Sequence, residues 1–272
     1  MRVNWVKWVG LVVVVIGSAG LVACAGPNGS IGAATSPVAH GGAPTQAGAR
    51  PPAQTVALFS TSDKVPSPDG WSAWQFHISK RATRYQLVSL DQERVVEAVA
   101  DGSVSGLKFR LDADPRSRPI FEWRWRVDAT LDGADVGDRS ADDSPVRLVL
   151  AFAGDVDTLP IEEQMFFERV KLLGGHDLPY ATLMYVWDNR RAAESLVVNP
   201  HTTRIRKIVV ESGAQGVRQW RSYRRDIVAD FERVYGKAPG RLIGVAVVTD
   251  SDNTRQKIRA WYGDIRMLER NP

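Results

Sequence analysis

Four aspartates in two short clusters, and a fifth standing alone, carry the clearest chemical potential in this chain. Asp142 and Asp143 directly precede Ser144-Pro145 at the mouth of an apolar run. Asp250 opens the segment Asp250-Ser251-Asp252-Asn253-Thr254, which follows the most apolar run of the chain. Asp264 sits near the end of the sequence in Trp-Tyr-Gly-Asp-Ile. Oxygen-rich groups of this kind suit a hard cation such as Ca²⁺, which takes six to eight oxygen ligands. Asp250, Asp252 and Asp264 are the candidate ligands. The competing reading is plain turn chemistry, since Asp and Asn bond their own backbone in turns. For Asp264, inside a strand, pairing with Arg124 or Arg126 is the alternative to a metal.

A second group could recognise a sugar. Trp187 is followed by Asp188, Asn189 and Arg190, and an aromatic face beside amide and guanidinium donors is what polyol recognition uses. Asp142, Asp143, Trp187, Asn189, Arg190, Asp250, Asp252 and Asn253 are therefore the candidate ligand-binding residues. The alternative for Trp187, and for Tyr180, Tyr185 and Tyr262, is a place in a core. Paired carboxylates also raise glycoside hydrolysis, which needs an acid and a base or nucleophile across a cleft, but no glycosidase motif is present. No Gly-x-Ser-x-Gly elbow, no His-x-x-x-His pair and no phosphate-cradling glycine loop occurs either.

The elements that must position these residues read as short strands. In 120–127, Phe121, Trp123, Trp125 and Val127 alternate with Glu122, Arg124 and Arg126, the period of a half-buried strand. Val146, Leu148, Leu150 and Phe152 repeat it. Residues 242–249 (LIGVAVVT) are apolar on both faces and read as a central strand. Further strands are expected at 71–78, 84–90, 94–100, 104–112, 181–187, 194–199, 204–211, 217–223 and 257–268. Two helices interrupt them, at 161–173, ended by Gly174-Gly175, and at 227–235, with Asp226 as N-cap and Gly236 past the C-terminus. Many strands with two short helices predict a mostly β protein, an antiparallel β-sandwich, over 55–272. About 215 residues suffice for one large core.

The N-terminus fixes the compartment. Arg2 and Lys7 precede the apolar run WVGLVVVVI (8–16), small residues follow, and Leu21-Val22-Ala23-Cys24 ends the segment with the only cysteine of the chain. That order is a secretory signal over 1–23, too short and glycine-interrupted for a comfortable bilayer span. Leu-Val-Ala-Cys resembles a bacterial lipobox, which implies a thioether-linked diacylglycerol on Cys24 and a lipid bilayer as partner. Acyl chains contribute about 0.8 kcal/mol per buried methylene, enough in pairs for permanent anchoring. Ala25 follows the cysteine, which points to the outer membrane where sorting is of enteric type. Residues 25–54 are mostly Gly, Ala, Pro, Ser and Thr, with Arg50 the one charge. They read as a disordered tether with a mean reach of ~30 Å. Without Arg2 and Lys7 the chain keeps 33 basic against 31 acidic residues, about +2. That balance, in an exported chain without a basic stripe, excludes nucleic-acid binding.

Seven segments carry a resemblance. FEWRWRVD (121–128), ADDSPVRLVLAF (141–152), LMYVWDNR (183–190), VVNPHTTRIRKIVVESG (197–213), WRSYRRDIVADFERVYG (220–236), IGVAVVTDSDNT (243–254) and AWYGDI (260–265) are similar, in order, to the bacterial domain-of-unknown-function family 3047. The chain departs from that pattern at Ser140-Ala141, usually Ala-Gly, and at Ser144, usually Phe. The resemblance implies no activity. Trp261 to Leu268, and Trp220 to Gly236 followed by Ile243-Gly244-Val245, are also similar to the last strands of galactose-binding-like jelly rolls and carbohydrate-binding modules. This second resemblance concerns the fold and implies a sandwich of galactose-binding-like, jelly-roll type.

Three functions stay open: a non-catalytic, lipid-anchored, periplasm-facing sandwich that binds an envelope glycan; a polysaccharide-acting enzyme using Asp142, Asp143 or Asp252; and an assembly lipoprotein whose partner is another envelope protein. No cofactor is required by any of them, apart from a possible Ca²⁺. The anchor itself is testable. Cys24→Ser cannot form the thioether, so membrane fractionation should find the protein released or held as unprocessed precursor. A mature variant that pellets as wild type does would refute the lipobox.

Overall fold

The computed structural model describes residues 56–64, 68–174 and 177–270. Cys24, the signal segment and the tether expected over 24–54 lie outside the described residues. No helix among the described residues is long and apolar enough to cross a membrane.

Thirteen strands are formed: β1 (Trp71–Trp74), β2 (Arg84–Leu90), β3 (Glu93–Asp101), β4 (Val104–Ala113), β5 (Ile120–Val127), β6 (Ser144–Phe152), β7 (Ala181–Asp188), β8 (Leu196–Val198), β9 (Ile205–Ser212), β10 (Arg221–Asp226), β11 (Leu242–Asp250), β12 (Lys257–Tyr262) and β13 (Arg266–Leu268). Helix α1 (Ile161–Gly174) lies between β6 and β7, and α2 (Ile227–Tyr235) follows β10. Three expectations shift. The strand expected over 71–78 stops at Trp74, and the one expected over 217–223 starts only at Arg221. The strand expected over 257–268 breaks after Tyr262, so Asp264 stands between β12 and β13 rather than within a strand.

One sheet has the order β1-β4-β11-β6-β7-β9-β8, the other β10-β5-β12-β3-β2 with β13 also paired to β5. Every pair is antiparallel except β7 with β9. The eight central strands interleave as β3-β12-β5-β10 facing β4-β11-β6-β7. Sequential partners β3 and β4, β5 and β6, and β11 and β12 lie in opposite sheets. That is the double Greek-key winding of a jelly roll, the sandwich expected from the strand pattern in the form that the second resemblance implied.

The core between the sheets follows from the alternation. Trp123 and Trp125 of β5, Leu148 and Phe152 of β6, and Tyr185 and Trp187 of β7 all face inward and are buried. Trp123 stacks between Tyr185 (4.8 Å, 26°) and Tyr223 (5.0 Å, 24°). Helix α2 closes one end. Asp226 accepts from the Val228 and Ala229 amides at its N-terminus, and Gly236 ends it at φ 72°, which only glycine adopts freely. Its Ile227, Phe231 and Val234 are buried, with Phe231 against Phe152.

β11 is central, as its apolarity on both faces predicts. Val245 and Val247 face the main core, while Ala246 and Val248 join a second cluster with Val136, Val149, Met184, Val186 and Val209 on the opposite face of the sheet. Val136 belongs to the long connection 128–143 between β5 and β6, which covers that face. This covered face is where most of the sequence candidates lie.

Candidate functional site

Connection 128–143 ends in Asp142-Asp143 and runs into β6. There Arg147, alternating with Val146 and Leu148, points away from the main core yet is fully buried, as is Lys207 of β9. The Arg147 Nη2 donates to the Asp142 backbone oxygen (2.8 Å) and to Asp250 Oδ2 (3.1 Å), and stands 3.2 Å from Asp142 Oδ1. The Lys207 Nζ donates to Asp142 Oδ2 (2.5 Å) and to the Val136 carbonyl (2.7 Å). Burial alone would lower the Arg147 guanidinium, but Asp142, Asp250 and Asp143 hold it above its ordinary value. Burial pulls the Lys207 ammonium down, and Asp142 only partly restores it. Burial pushes the Asp250 carboxyl well up; Arg147 opposes this, while Asp143, Asp252 and Asp142 add to it.

Asp143, Asp250 and Asp252 lie with one oxygen each inside a 4.8 Å circle. Asp143 accepts the backbone N–H groups of Asn253 (3.2 Å) and Thr254 (2.7 Å), which folds the segment after β11 around it. Asp252 pairs with the Lys80 ammonium, so the protein's own cations, Lys80 and Arg147, already face this acidic group. Asp142, Asp143, Asp250, Asp252 and Asn253 therefore converge from two sequence-distant segments. Asp264 does not join them.

The Trp187 group serves the same region. Trp187 is wholly buried in the core, and its Nε1 donates to the Gly213 carbonyl (2.9 Å). It therefore presents no face to a sugar, because β7 alternation points it inward with Leu183 and Tyr185. Tyr180, Tyr185 and Tyr262 are buried too. Asp188 accepts from the amides of Arg190 and Arg191 (2.6 Å each) and of Val136 (2.8 Å). Asn189 donates to the Leu131 carbonyl, and the Arg190 side chain is exposed. These residues fasten connection 128–143 to the sheet. Buried as they are, Asp142, Asp143 and Asp250 offer nothing to a substrate.

An open polar site lies on the other sheet. The outward residues of β5 are Glu122, Arg124 and Arg126. Register places Arg224 of β10 opposite Glu122 on one side and Arg266 of β13 opposite it on the other, with Ser222 opposite Arg124. Glu122, Arg124, Ser222, Arg224 and Arg266, with Ser60, Glu93, Arg94 and Asp264, line a groove of about 550 Å³. Charges are paired throughout it. Arg224 donates to Glu122 (2.5 Å), Arg124 pairs with Glu93, Arg94 pairs with Asp63, and Arg266 stands 3.3 Å from Asp264. Asp264 also accepts from the Ser60 amide (2.9 Å) and hydroxyl (2.6 Å). Its arginine is thus Arg266, not Arg124 or Arg126. Gly263 lets the Arg124 side chain lie close to the backbone, since a Cβ there would stand 2.7 Å from it. Two half-buried tryptophans share this face, Trp220 beneath Arg124 (4.6 Å) and Trp261 beneath Arg126 (5.4 Å).

The sequence reading missed Arg147 and Lys207, although a cation set inside the apolar runs VRLVLAF and IRKIVVES is a visible signal that a buried carboxylate must meet it. The groove had a weaker signal. Glu122, Arg124 and Arg126 were recognisable as an outward face, but their partners come from β3, β10 and β13.

Residues 69–266 match the family model described as protein of unknown function (DUF3047). No curated protein matches the sequence significantly. Among solved structures, the xyloglucanase domain of NopAA from Sinorhizobium fredii is 9% identical and aligns over 75% of this chain and 96% of its own, with a TM-score of 0.41. Endoglucanase 3 of family GH12 from Trichoderma harzianum is 10% identical over 81% of this chain and 98% of its own, with a TM-score of 0.40. The mannan-recognising carbohydrate-binding module TmCBM27 is 10% identical over 80% and 97%, with a TM-score of 0.31.

Two outcomes test the ionic network. Arg147→Met leaves Asp142 and Asp250 without their shared cation and should cost about 3–5 kcal/mol in urea unfolding. A loss under 1 kcal/mol would mean that the network contributes little. Wild-type protein should melt alike in millimolar Ca²⁺ and in chelator, because Lys80 already serves as counter-cation. Lys80→Ala should acquire Ca²⁺ stabilisation, ~2.7 kcal/mol at a hundredfold excess over its dissociation constant. Ca²⁺ stabilisation of the wild type would show instead that a metal displaces the lysine.

Proposed function

Since this chain belongs to the DUF3047 family of proteins of unknown function, its role must come from its own geometry, and we propose that it is a lipid-anchored envelope protein that binds a glycan without turning it over. In this reading Cys24 carries the lipid, residues 25–54 hold the domain off the outer membrane, and the sandwich faces the periplasm. The groove on the outer face of β5, β10 and β13 is the binding site.

The observation that carries the reading is the pairing of charges in that groove. Glu122 with Arg224, Glu93 with Arg124 and Asp264 with Arg266 place a planar acceptor beside a planar donor three times over. Vicinal sugar hydroxyls both donate and accept, so such pairs match them, whereas a charged ligand would need unpaired arginines. The groove is of ligand size, since small-molecule sites run from about 300 to 1,000 Å³. Trp220 and Trp261 supply apolar ring surface on the same face. Asp142, Asp143 and Asp250, buried under connection 128–143, take no part, and Ca²⁺ is not needed for binding. A hydrolytic reading is carried by one fact alone: three carboxylates, Glu93, Glu122 and Asp264, line a single groove.

Calorimetric titration of the mature chain with neutral envelope oligosaccharides separates the readings. Saturable heat with no new reducing ends supports binding. Glu122→Gln and Arg224→Met should each weaken it about tenfold, the equivalent of 1.4 kcal/mol, while leaving the melting temperature in place. Release of reducing ends, abolished by Glu122→Gln, would replace the binding reading with hydrolysis. Absence of any heat across such a panel would remove the glycan reading.

A further inference from the structure

The acid–arginine pairing of the groove does not stop at its rim. A chain of contacts leads from the groove across the outer face of its sheet to β2. Glu93 and Arg124, paired inside the groove, stand at its start. The Arg124 guanidinium lies on Trp220 (4.6 Å), and the Trp220 Nε1 donates to Asp91 (3.1 Å), at the tip of the hairpin between β2 and β3. Asp91 stands 3.7 Å from Arg126, whose guanidinium lies on Trp261 (5.4 Å). Register sets Arg126, Trp261, Glu97 and Gln86 side by side on β5, β12, β3 and β2. All four project outward, since their neighbours Trp125, Tyr262, Val96 and Leu87 pack on the main core. Glu97 accepts from the Gln86 Nε2 (2.6 Å) and stands 3.5 Å from Arg259, a second guanidinium on Trp261 (5.8 Å).

We propose that the ligand is an extended glycan chain of several sugar units, lying from the groove across β12 and β3 to β2. The inference rests on the glycan reading above and adds to it the length and path of the ligand. The row repeats the chemistry of the groove. Asp91 with Arg126 and Glu97 with Arg259 again set a carboxylate beside a guanidinium, and the Trp261 ring supplies apolar surface between the two pairs. Hydroxyls that both donate and accept match these pairs as they match those of the groove. Asp91 (62%), Arg126 (28%) and Arg259 (53%) are accessible to solvent, so a hydroxyl can replace a partner at little cost. With strands about 4.8 Å apart and residues about 3.4 Å apart along them, Glu122 and Gln86 stand roughly 20 Å from each other across the face. Several sugar rings, rather than one, cover that distance. β10 and β2 are the two edges of this sheet, so none of its strands closes the path at either end. Cross-strand ion pairs also steady a sheet by themselves, a role that makes no distinction between short and long sugars.

Length dependence tests the path. Two size fractions of one neutral envelope polysaccharide, the disaccharide and the hexasaccharide, are titrated calorimetrically into the mature chain. The hexasaccharide should bind about tenfold more tightly. Gln86→Ala combined with Arg259→Met should bring it back to the affinity of the disaccharide, with disaccharide binding and the melting temperature unchanged. Glu122→Gln, in the groove, should weaken both fractions alike. Equal affinity of the wild type for the two fractions would overturn the proposal and confine the ligand to the groove. So would a length dependence that survives in the double variant, since the added sugars would then lie elsewhere. Failure of the glycan reading itself is a separate result, no heat with either fraction, and it removes the extended path as well.

Discussion

The contact between Arg147 and two aspartates from distant segments is the interaction on which the architecture turns. Arg147 is fully buried, and ions of its size lose several kcal/mol of hydration when they enter a protein interior. The loss is offset only where partners are close and well aimed, which Asp142 and Asp250 are. Lys207 adds a second cation to Asp142 and ties the Val136 carbonyl to the same point. The effect is mechanical. Connection 128–143 is drawn down over the outer face of its sheet, Val136 meets Val149 and Val209, and a second apolar cluster closes. Without the ions the connection would have to leave a row of valines open to water.

The two sheets are therefore not equivalent. The sheet containing β11, β6 and β7 is covered on both faces, between the main core on one side and connection 128–143 on the other. The sheet containing β5, β10 and β12 is covered on its inner face only. Its outer face keeps the polar half of each alternating strand and, with it, the groove. A jelly roll with one face sealed in this way has one broad face left for a ligand. The division also explains why the carboxylates fall into two populations, buried and fastened on one sheet, open and paired on the other.

The strands were largely readable because a half-buried strand writes its burial into period two. β5 declares both its faces in IFEWRWRV, and β11 shows by its double apolarity that something covers its outer side. The breaks were less legible. Trp220 belongs to a turn although its aromatic neighbours suggest a strand, and Gly263 interrupts the last strand because Arg124 needs the space a Cβ would fill. The convergence of Asp142, Asp143, Asp250 and Asp252 was visible as composition and not as purpose. Acidic residues after an apolar strand look the same whether they await a metal or answer a buried arginine. The partner that the sequence left unseen is Arg147, a residue 103 positions away from Asp250. The Trp187 group failed for a related reason. A tryptophan beside Asp-Asn-Arg at a strand end has the composition of a sugar site, but the phase of the alternation, fixed by Leu183 and Tyr185, turns the ring inward. The groove was least legible, since its acid–arginine pairs join positions from 102 residues apart down to two, and only the register of β5 with β10 and β13 aligns them.

The same chemistry, a carboxylate beside a guanidinium, serves opposite ends on the two sheets, and solvent is what separates them. Removing one partner from a buried pair strands the other in a medium that cannot hydrate it, at a cost of about 3–5 kcal/mol. An exposed pair contributes about 0–1 kcal/mol, because water replaces a lost partner almost as well. The Arg147 network therefore cannot exchange its contacts for those of a ligand. The pairs around Glu122 are about half exposed on the arginine side, so a hydroxyl can take the place of either partner with little loss. A site built from such pairs is held in shape by its own charges until a ligand with both donors and acceptors arrives. A purely cationic or anionic ligand can satisfy only half of each pair and leaves the other half repelled. On the binding proposed for this groove, selectivity for neutral polyhydroxylated molecules would be a consequence of where the water is, not of any residue type found only there.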